Sequence, residues 1–296
     1  MGKVAGIVGV LFLLWLIYTG YFLMTLNPSV SAYWGPVEGD NVSIYFKIDL
    51  GNPSPVPIKL ENLVLKLSGI PIAKVENVNL GFLKRDVSGS SEVNLNNLID
   101  ALIVHIKNKE NSKIEVVGSV KILNIIPYNF SKDFEFRTNI LEYLKNIRAE
   151  PRTYTVAGIL PLKTPGVEGI YARWGKVSED SLEVVGVVKL YNPNNFPLPI
   201  VNIGGEIYLN GIHVGRGSVM KTVTLPAKGR GEVPIRLQLY PKELKEALKS
   251  HILNGERSVL RLDLTFMLKV SGEVVEVKVG DIETTIETHI LENIKV

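Results

Sequence analysis

No cysteine occurs anywhere in the chain, which excludes a disulfide-stapled scaffold and any thiolate metal site. Histidine is scarce too. The four present, at 105, 213, 251 and 289, include no two at metal-ligand spacing. An excess of one charge sign is also missing: 33 Lys and Arg against 30 Asp and Glu leave +3, too little for a general polyanion binder, so nucleic acid is not expected as a partner. The sequence lacks H-E-x-x-H, G-x-S-x-G, a P-loop and a G-x-G-x-x-G opening a helix. No enzyme activity, cofactor or metal is therefore expected. What is present is carbon: 46% of the residues are apolar and 21% charged, enough for a sizeable core. A chain of 296 residues suits about two domains.

The longest apolar run is at the start, where Val4 to Leu26 gives 23 residues without a charge. As a helix it would cover about 34 Å, against a hydrocarbon core of about 30 Å. Trp15, Tyr18, Tyr21 and Phe22 in its second half suit an interfacial aromatic belt. Lys3 precedes the run, while the first charges after it are Glu38 and Asp40, with no Lys or Arg before Lys47. The positive-inside rule then puts the N-terminus in the cytoplasm and everything beyond about residue 30 outside, in a single-pass membrane protein. Val30-Ser31-Ala32 offers a signal-peptidase alternative, but the run exceeds an ordinary h-region and Ala32 lies within a repeat. An uncleaved anchor over 4–26 is the expectation.

That repeat is the main result of the sequence. Shifting by 140 residues lays Ala32, Trp34 and Gly35 on Ala172, Trp174 and Gly175, and Asn52, Pro53 and Pro57 on Asn192, Pro193 and Pro197. At 142, Leu67, Gly69 and Ile70 meet Leu209, Gly211 and Ile212. At 146, Leu98, Ala101, Leu102, His105 and Ile106 meet Leu244, Ala247, Leu248, His251 and Ile252. At 150, Thr138, Ile140 and Leu141 meet Thr288, Ile290 and Leu291. The offset grows only by small loop insertions. Two copies of one domain follow, 31–146 and 168–296, joined by a Pro-rich junction over 147–167 in which Arg152 to Ile159 could add a strand to either copy.

Within each copy the period is that of strands. Leu260, Leu262, Leu264, Phe266, Leu268 and Val270 alternate with Arg261, Asp263, Thr265, Met267 and Lys269, and Ile235, Leu237 and Leu239 alternate with Arg236 and Gln238. Further extended runs are Leu182–Tyr191, Ile200–Leu209, Ser218–Leu225, Glu273–Val279 and Ile282–Ile290, with turns at Asn210-Gly211, Lys228-Gly229 and Ser271-Gly272. One helix interrupts the series, opened by Pro241 and stopped by Asn254-Gly255, with Leu244, Ala247, Leu248, His251 and Ile252 on one face. Its counterpart runs from Leu95 to Ile106 with Asn94 or Asn96 as cap. The fold class expected is mainly β: two tandem antiparallel β-sandwiches, each with one amphipathic helix, plus an N-terminal transmembrane helix.

Asn52-Pro53 and Asn192-Pro193 each end a strand, where Asn can close an Asx-turn while Pro fixes φ and removes a donor. The segment Tyr191-Asn192-Pro193-Asn194-Asn195-Phe196-Pro197, then Asn210-Gly211-Ile212, then Leu225-Pro226-Ala227-Lys228-Gly229 leading into Val233-Pro234-Ile235, resembles the WHy (water stress and hypersensitive response) domain, the folded type 2 branch of the late embryogenesis abundant (LEA) proteins. The first copy keeps Asn52, Pro53, Pro57 and the Gly69-Ile70 step but lacks the Leu-Pro-Ala-x-Gly element. The resemblance implies a fibronectin-III-like or immunoglobulin-like sandwich, an association with desiccation or other stress, and no catalytic residues. Its motif positions, Asn52, Pro53, Pro57, Asn192, Pro193, Asn194, Pro197, Gly211, Pro226 and Gly229, are structural.

The remaining polar features read plainly. His105 and His251 stand in the last helical turn, where a partial positive charge suits the helix dipole. His213 reads as an exposed turn residue between Gly211 and Gly215. Gly215-Arg216-Gly217 and Lys228-Gly229-Arg230-Gly231 read as basic hairpin tips with anion-nest geometry. Two functions follow: a non-enzymatic, membrane-anchored stress-protection or envelope protein, or an extracytoplasmic binding module for a lipid or other apolar ligand held between sandwich and helix. A lipid or protein partner fits either, and nothing in the sequence sets the oligomeric state.

Overall fold

The computed structural model describes residues 2–288 apart from 26, 28, 157–159 and 271. α1 (Gly2–Thr25) precedes the first copy, which runs β1 (Ser29–Glu38), β2 (Asn41–Asp49), β3 (Ile58–Leu67), β4 (Ile70–Leu80), β5 (Asp86–Asn94), α2 (Leu95–Lys107), β6 (Asn111–Ile122) and β7 (Ile126–Arg137). A 3₁₀ turn, Ile140–Asn146, leads to β8 (Thr153–Val156) and β9 (Leu160–Lys163). The second copy runs β10 (Gly166–Val177), β11 (Leu182–Tyr191), β12 (Leu198–Leu209), β13 (Ile212–Val219), β14 (Val223–Leu225), β15 (Arg230–Leu239), α3 (Pro241–Leu253), β16 (Arg257–Val270) and β17 (Glu273–Glu287).

The strands form two antiparallel sheets in the same order. One is β1-β2-β5-β4-β3-β6-β7 and the other β10-β11-β15-β13-β12-β16-β17, with β14 added beside β12. This is the repeat in three dimensions. Each sheet has a short joint: β4 meets β5 only through Ala73, Val75 and the residue between them, and β13 meets β15 only over Gly215–Val219. Each is thus three strands and four strands hydrogen-bonded at one corner, where the sequence suggests two separate sheets. In the second copy the inward residues of both parts, among them Val188 and Leu190 from one and Ile203, Ile207 and Phe266 from the other, merge in one core. Alternation puts them there. Along β16, Leu262, Phe266 and Leu268 are buried while Arg261 and Lys269 face outward.

The chain divides into two compact units, Met1–Ala101 with Ser112–Phe136, and Leu102–Asn111 with Arg137–Thr288. The junction meets the second sheet through one antiparallel bridge, Ala149↔Val167, while β8 and β9 pair with each other from Thr153↔Lys163 to Val156↔Leu160. Pro241 opens α3, and Asn254 and Gly255 end it by returning their N–H groups to Ser250 and Ile252 carbonyls. Asn94 Oδ1 accepts from the Asn97 N–H at 3.1 Å, so Asn94 rather than Asn96 caps α2. Two strand readings are corrected. Ile212–Val219 is a strand, because the tight turn at Asn210-Gly211, both at positive φ, sends the chain straight back along β12. Glu273–Glu287 is continuous, a register shift near Leu264 absorbing the expected break. Ile290 and Leu291, the last pair of the repeat, lie outside the described residues.

The expected membrane span at 4–26 coincides with α1, a helix of 24 residues. Among the described residues no helix is long and apolar enough to cross a membrane. The transmembrane reading therefore draws on the sequence and not on the fold.

Close strand approach gives a test of the second sheet. A Cβ at Gly186 in β11 would press on the Tyr171 carbonyl oxygen and lie 2.8 Å from Ala172 Cα, backbone atoms of β10 that cannot swing away, whereas a Cβ at Gly204 in β12 meets nothing within 4 Å. Gly186→Ala is expected to destabilise by about 1–3 kcal/mol and Gly204→Ala by less than about 0.5, read from urea unfolding midpoints.

Candidate functional site

The motif residues of the second copy meet at one end of its sheet. β11 ends at Tyr191, and β15 begins opposite it at Arg230, so the two loops that follow and precede them lie side by side. Asn192 is wholly buried between them. Its Nδ2 donates to the carbonyls of Phe196 (2.9 Å), Leu225 (3.3 Å) and Pro226 (3.0 Å), and its Oδ1 accepts from Asn194 N (3.0 Å) and Asn194 Nδ2 (2.9 Å). The Oδ1 to Asn194 N bond closes an Asx-turn. Asn194 then brackets Lys163 of β9, accepting from its N–H at 3.0 Å and donating to its carbonyl at 2.8 Å. The facing loop answers: Asn192 N donates to Gly229 O, Lys228 N to Asn194 O, and Lys228 Nζ to Pro193 O. A Cβ at Gly229 would press on the Pro226 ring, so glycine is what lets this loop fold over. Pro197 leads into β12, and Gly211 lies at the other end of that strand, in the β12–β13 turn.

The first copy satisfies the same turn differently. Asp49, not Asn52, closes the Asx-turn, accepting from Gly51 N at 2.8 Å. Asn52 Nδ2 instead donates to Thr25 Oγ1 of α1 at 3.0 Å, while Ser54 takes the buried position, its hydroxyl on the Val56 carbonyl. Pro53 and Pro55 turn their carbonyls to Tyr18 and Trp15 of α1. Asp49 is held below the ordinary carboxylate range by Arg85, whose Nε lies 2.7 Å away, and by the Gly51 N–H. Pro57 precedes β3.

The two helical histidines are buried, and burial pushes both imidazoles below the ordinary 6.5, against the cationic form on which the helix-dipole reading relies. Each belongs to a relay. Val259 N donates to Asn210 Oδ1 at 2.8 Å, which fixes that amide's orientation, so Nδ2 donates to Ser258 Oγ (3.2 Å) and Ser250 Oγ (3.0 Å). Ser258 Oγ–H donates to His251 Nδ1 (2.8 Å), His251 Nε2–H donates to Thr288 Oγ1 (2.8 Å), and Thr288 donates to Glu256 Oε2 (3.0 Å). A carboxylate can only accept, so the chain runs one way. The first copy repeats the His–Thr–Glu part with His105, Thr138 and Glu110, while Ser112, the counterpart of Ser258, bonds Ser68 instead. Burial pushes Glu110 up, but hydrogen bonds from Thr138, Ile140 N and Trp174 Nε1, together with His105, hold it below its ordinary value. The sequence carries a signal for this: Glu110 falls on Glu256 at the same offset of 146 that superposes the histidines. In position both relays clasp a helix C-terminus to the end of the last strand.

Other candidates separate. His213 sits within β13, against Glu206 and between Tyr208 and Tyr240, so the turn reading is corrected. Gly215 and Gly217 are also inside β13, where added Cβ atoms would press on β15, so that segment is no hairpin tip; Arg230 is held by Glu168 at 2.9 Å. Among the described residues no group of three or more His, Asp or Glu is placed to hold a metal ion. The second unit does contain an apolar cavity of about 520 Å³. Ile170, Val188, Ile207 and Phe266 line it from both parts of the sheet, and Leu141 and Leu144 of the 3₁₀ turn line it together with Trp174 of β10 and Ile286 of β17, the two end strands. α3 contributes Leu244 alone, so the space lies within the sandwich rather than between sandwich and helix.

Asn192→Ala leaves three carbonyls without their donor and is expected to cost about 2–4 kcal/mol, against about 1 kcal/mol or less for Asn52→Ala, both read by denaturant unfolding. The unfolded chain protonates its histidines near 6.5, above the folded values, so it binds more protons in the window below 6.5. Stability is then full above about 6.5 and falls as pH drops toward the folded values. Urea midpoints at pH 7.5 and 5.5 should show this fall, and the His105→Gln/His251→Gln double variant should show a flatter one.

The family model described as "Late embryogenesis abundant protein" matches residues 187–281. Among solved structures, a crystal structure of an Archaeoglobus fulgidus protein is similar at 24% identity over 42% of this chain and 98% of that one, with a TM-score of 0.35. A solution structure of an Arabidopsis thaliana protein is similar at 15% identity over 46% and 91%, with a TM-score of 0.32. A β-glucuronidase of glycoside hydrolase family 2 shares 10% identity over 89% of this chain but only 26% of its own, at a TM-score of 0.25. None of these scores supports an argument about function. No curated protein matches. The residues that resemble that family's model, 187–281, contain Asn192, Asn194 and most of the second sheet.

Proposed function

We propose that the chain is a non-enzymatic stress-protection or envelope protein, tethered by α1 as a single-pass anchor with its N-terminus cytoplasmic and its two β modules extracytoplasmic. The observation that carries this reading is the family match over 187–281, on a module whose motif side chains are spent on one another. Asn192 and Asn194 are bonded inward to backbone, and both histidines end in hydroxyls and carboxylates. Such a module offers stable β surfaces as water activity falls. Support for the tether comes from the uncharged Val4–Leu26 run and the charge asymmetry around it. Deleting the gene should reduce survival on drying or osmotic shock; equal survival would count against protection. Alkaline carbonate should leave the protein in the membrane pellet, and release into the supernatant would count against the anchor.

A second reading, binding of a lipid or other apolar ligand, is favoured by the cavity, whose volume lies in the range of about 300–1,000 Å³ usual for small-molecule sites. Organic extraction of the purified full chain followed by mass spectrometry should yield a bound apolar species, and Ile207→Trp, which fills the space, should lower its yield severalfold. A clean blank from the unaltered chain removes this reading.

A further inference from the structure

The Asn-Pro loop of the first unit, residues 50–57, is hydrogen-bonded on three sides. α1 reaches it through Trp15 Nε1 to Pro55 O at 2.9 Å, Tyr18 Oη to Pro53 O at 2.7 Å, and Thr25 Oγ1 accepting from Asn52. The β4–β5 loop reaches it through Leu83 N to Ser54 O at 2.9 Å and accepts Ser54 N on Lys84 O at 2.8 Å. The β6–β7 turn reaches it through Leu123 N to Pro57 O at 2.9 Å. One end of the unit therefore gathers α1 and three loops.

Two of those loops are apolar where connections are ordinarily polar. Phe82 is 55% exposed, Leu83 53%, Leu123 40%, Ile125 74% and Ile126 51%. Apolar patches of this kind mark interaction sites. Leu83 and Leu123 stand at φ of 56° and 54°, a left-handed conformation that glycine or asparagine adopts more easily. Leucine there keeps an outward apolar side chain at the expense of backbone ease. Beside them α1 exposes Val10, Leu11, Leu13, Leu14 and Ile17, all by more than half.

Helix geometry says what covers this end. At 1.5 Å per residue Trp15 stands about 16 Å from Val4 and about 15 Å from Thr25, so the segment before the docked loop is too short for a hydrocarbon core of about 30 Å. The whole uncharged stretch is taken up only if the loop bonded to Trp15 and Tyr18, with the apolar tips beside it, enters the outer leaflet.

We propose that this end of the first unit is a bilayer-contacting surface, with Phe82, Leu83, Leu123, Ile125 and Ile126 inserted among the outer-leaflet lipids beside α1. The proposal rests on α1 being the anchor. Arg85 is occupied by Asp49 and the exposed Lys84 beside it has a stem long enough to keep its ammonium among the headgroups, so insertion is driven by apolar burial and zwitterionic lipid suffices.

The absence of cysteine makes the test clean. Leu83→Cys, Ile125→Cys and, the length of β2 away, Glu38→Cys each give the full chain one site for an environment-sensitive fluorophore. The labelled proteins are reconstituted into phosphatidylcholine vesicles, with or without nitroxide-bearing acyl chains, and floated. Labels at 83 and 125 should shift to shorter wavelength and lose more than half their intensity to the nitroxide lipid, while the label at 38 stays water-like. If the chain floats and all three labels stay water-like, the surface is overturned and the anchor stands. If none of the three floats, the anchor falls and the surface with it.

Discussion

Where a strand leaves its ladder inside a dry interior, the carbonyls and N–H groups it releases must find partners, and in this protein the side-chain amide of Asn192 meets that demand. One buried group donates to three carbonyls from two loops and accepts from a fourth residue, Asn194. Because Asn194 carries the network on to Lys163, the start of β12, the loop before β15 and the small β8–β9 hairpin are all set by the same few polar atoms.

The duplicated unit shows how far one topology tolerates a change in that arrangement. Both sheets keep the same strand order, yet the first copy hands the Asx-turn to Asp49, the buried position to Ser54, and Asn52 to α1. Freed from closing its own loop, the first copy's Asn-Pro turn became the place where the N-terminal helix docks. At the opposite end of each module the relays are the same in both copies, His–Thr–Glu, because pinning a helix C-terminus to the last strand is needed in each.

Polar satisfaction and apolar space are distributed differently within the second unit. Its ends are closed by hydrogen-bond networks, while its middle, where two parts of one sheet are joined by a single short pairing, retains a cavity lined by branched aliphatic side chains. The 3₁₀ turn lies where the end strands β10 and β17 line that cavity, so the stretch that precedes the junction helps to complete the core of the second module.

The amino-acid sequence by itself determined the repeat, the strand periodicity of both copies, the positions of α2 and α3 with the Pro241 start and Asn254-Gly255 stop of α3, and the meeting of Asn-Pro and Leu-Pro-Ala-Lys-Gly motifs in one domain type. These are legible because side-chain alternation, helical spacing and turn residues act over a few neighbours. Only the tertiary structure decided that Asn192 bonds across 33 residues to Leu225, that His105 and His251 are buried where the charged imidazole is disfavoured, that Gly215 and Gly217 line a strand contact, and that the cavity lies within the sandwich. Each of these depends on what a distant segment brings alongside, and hydrogen-bond partners and burial are properties of the packed neighbourhood, not of the residue that carries the group.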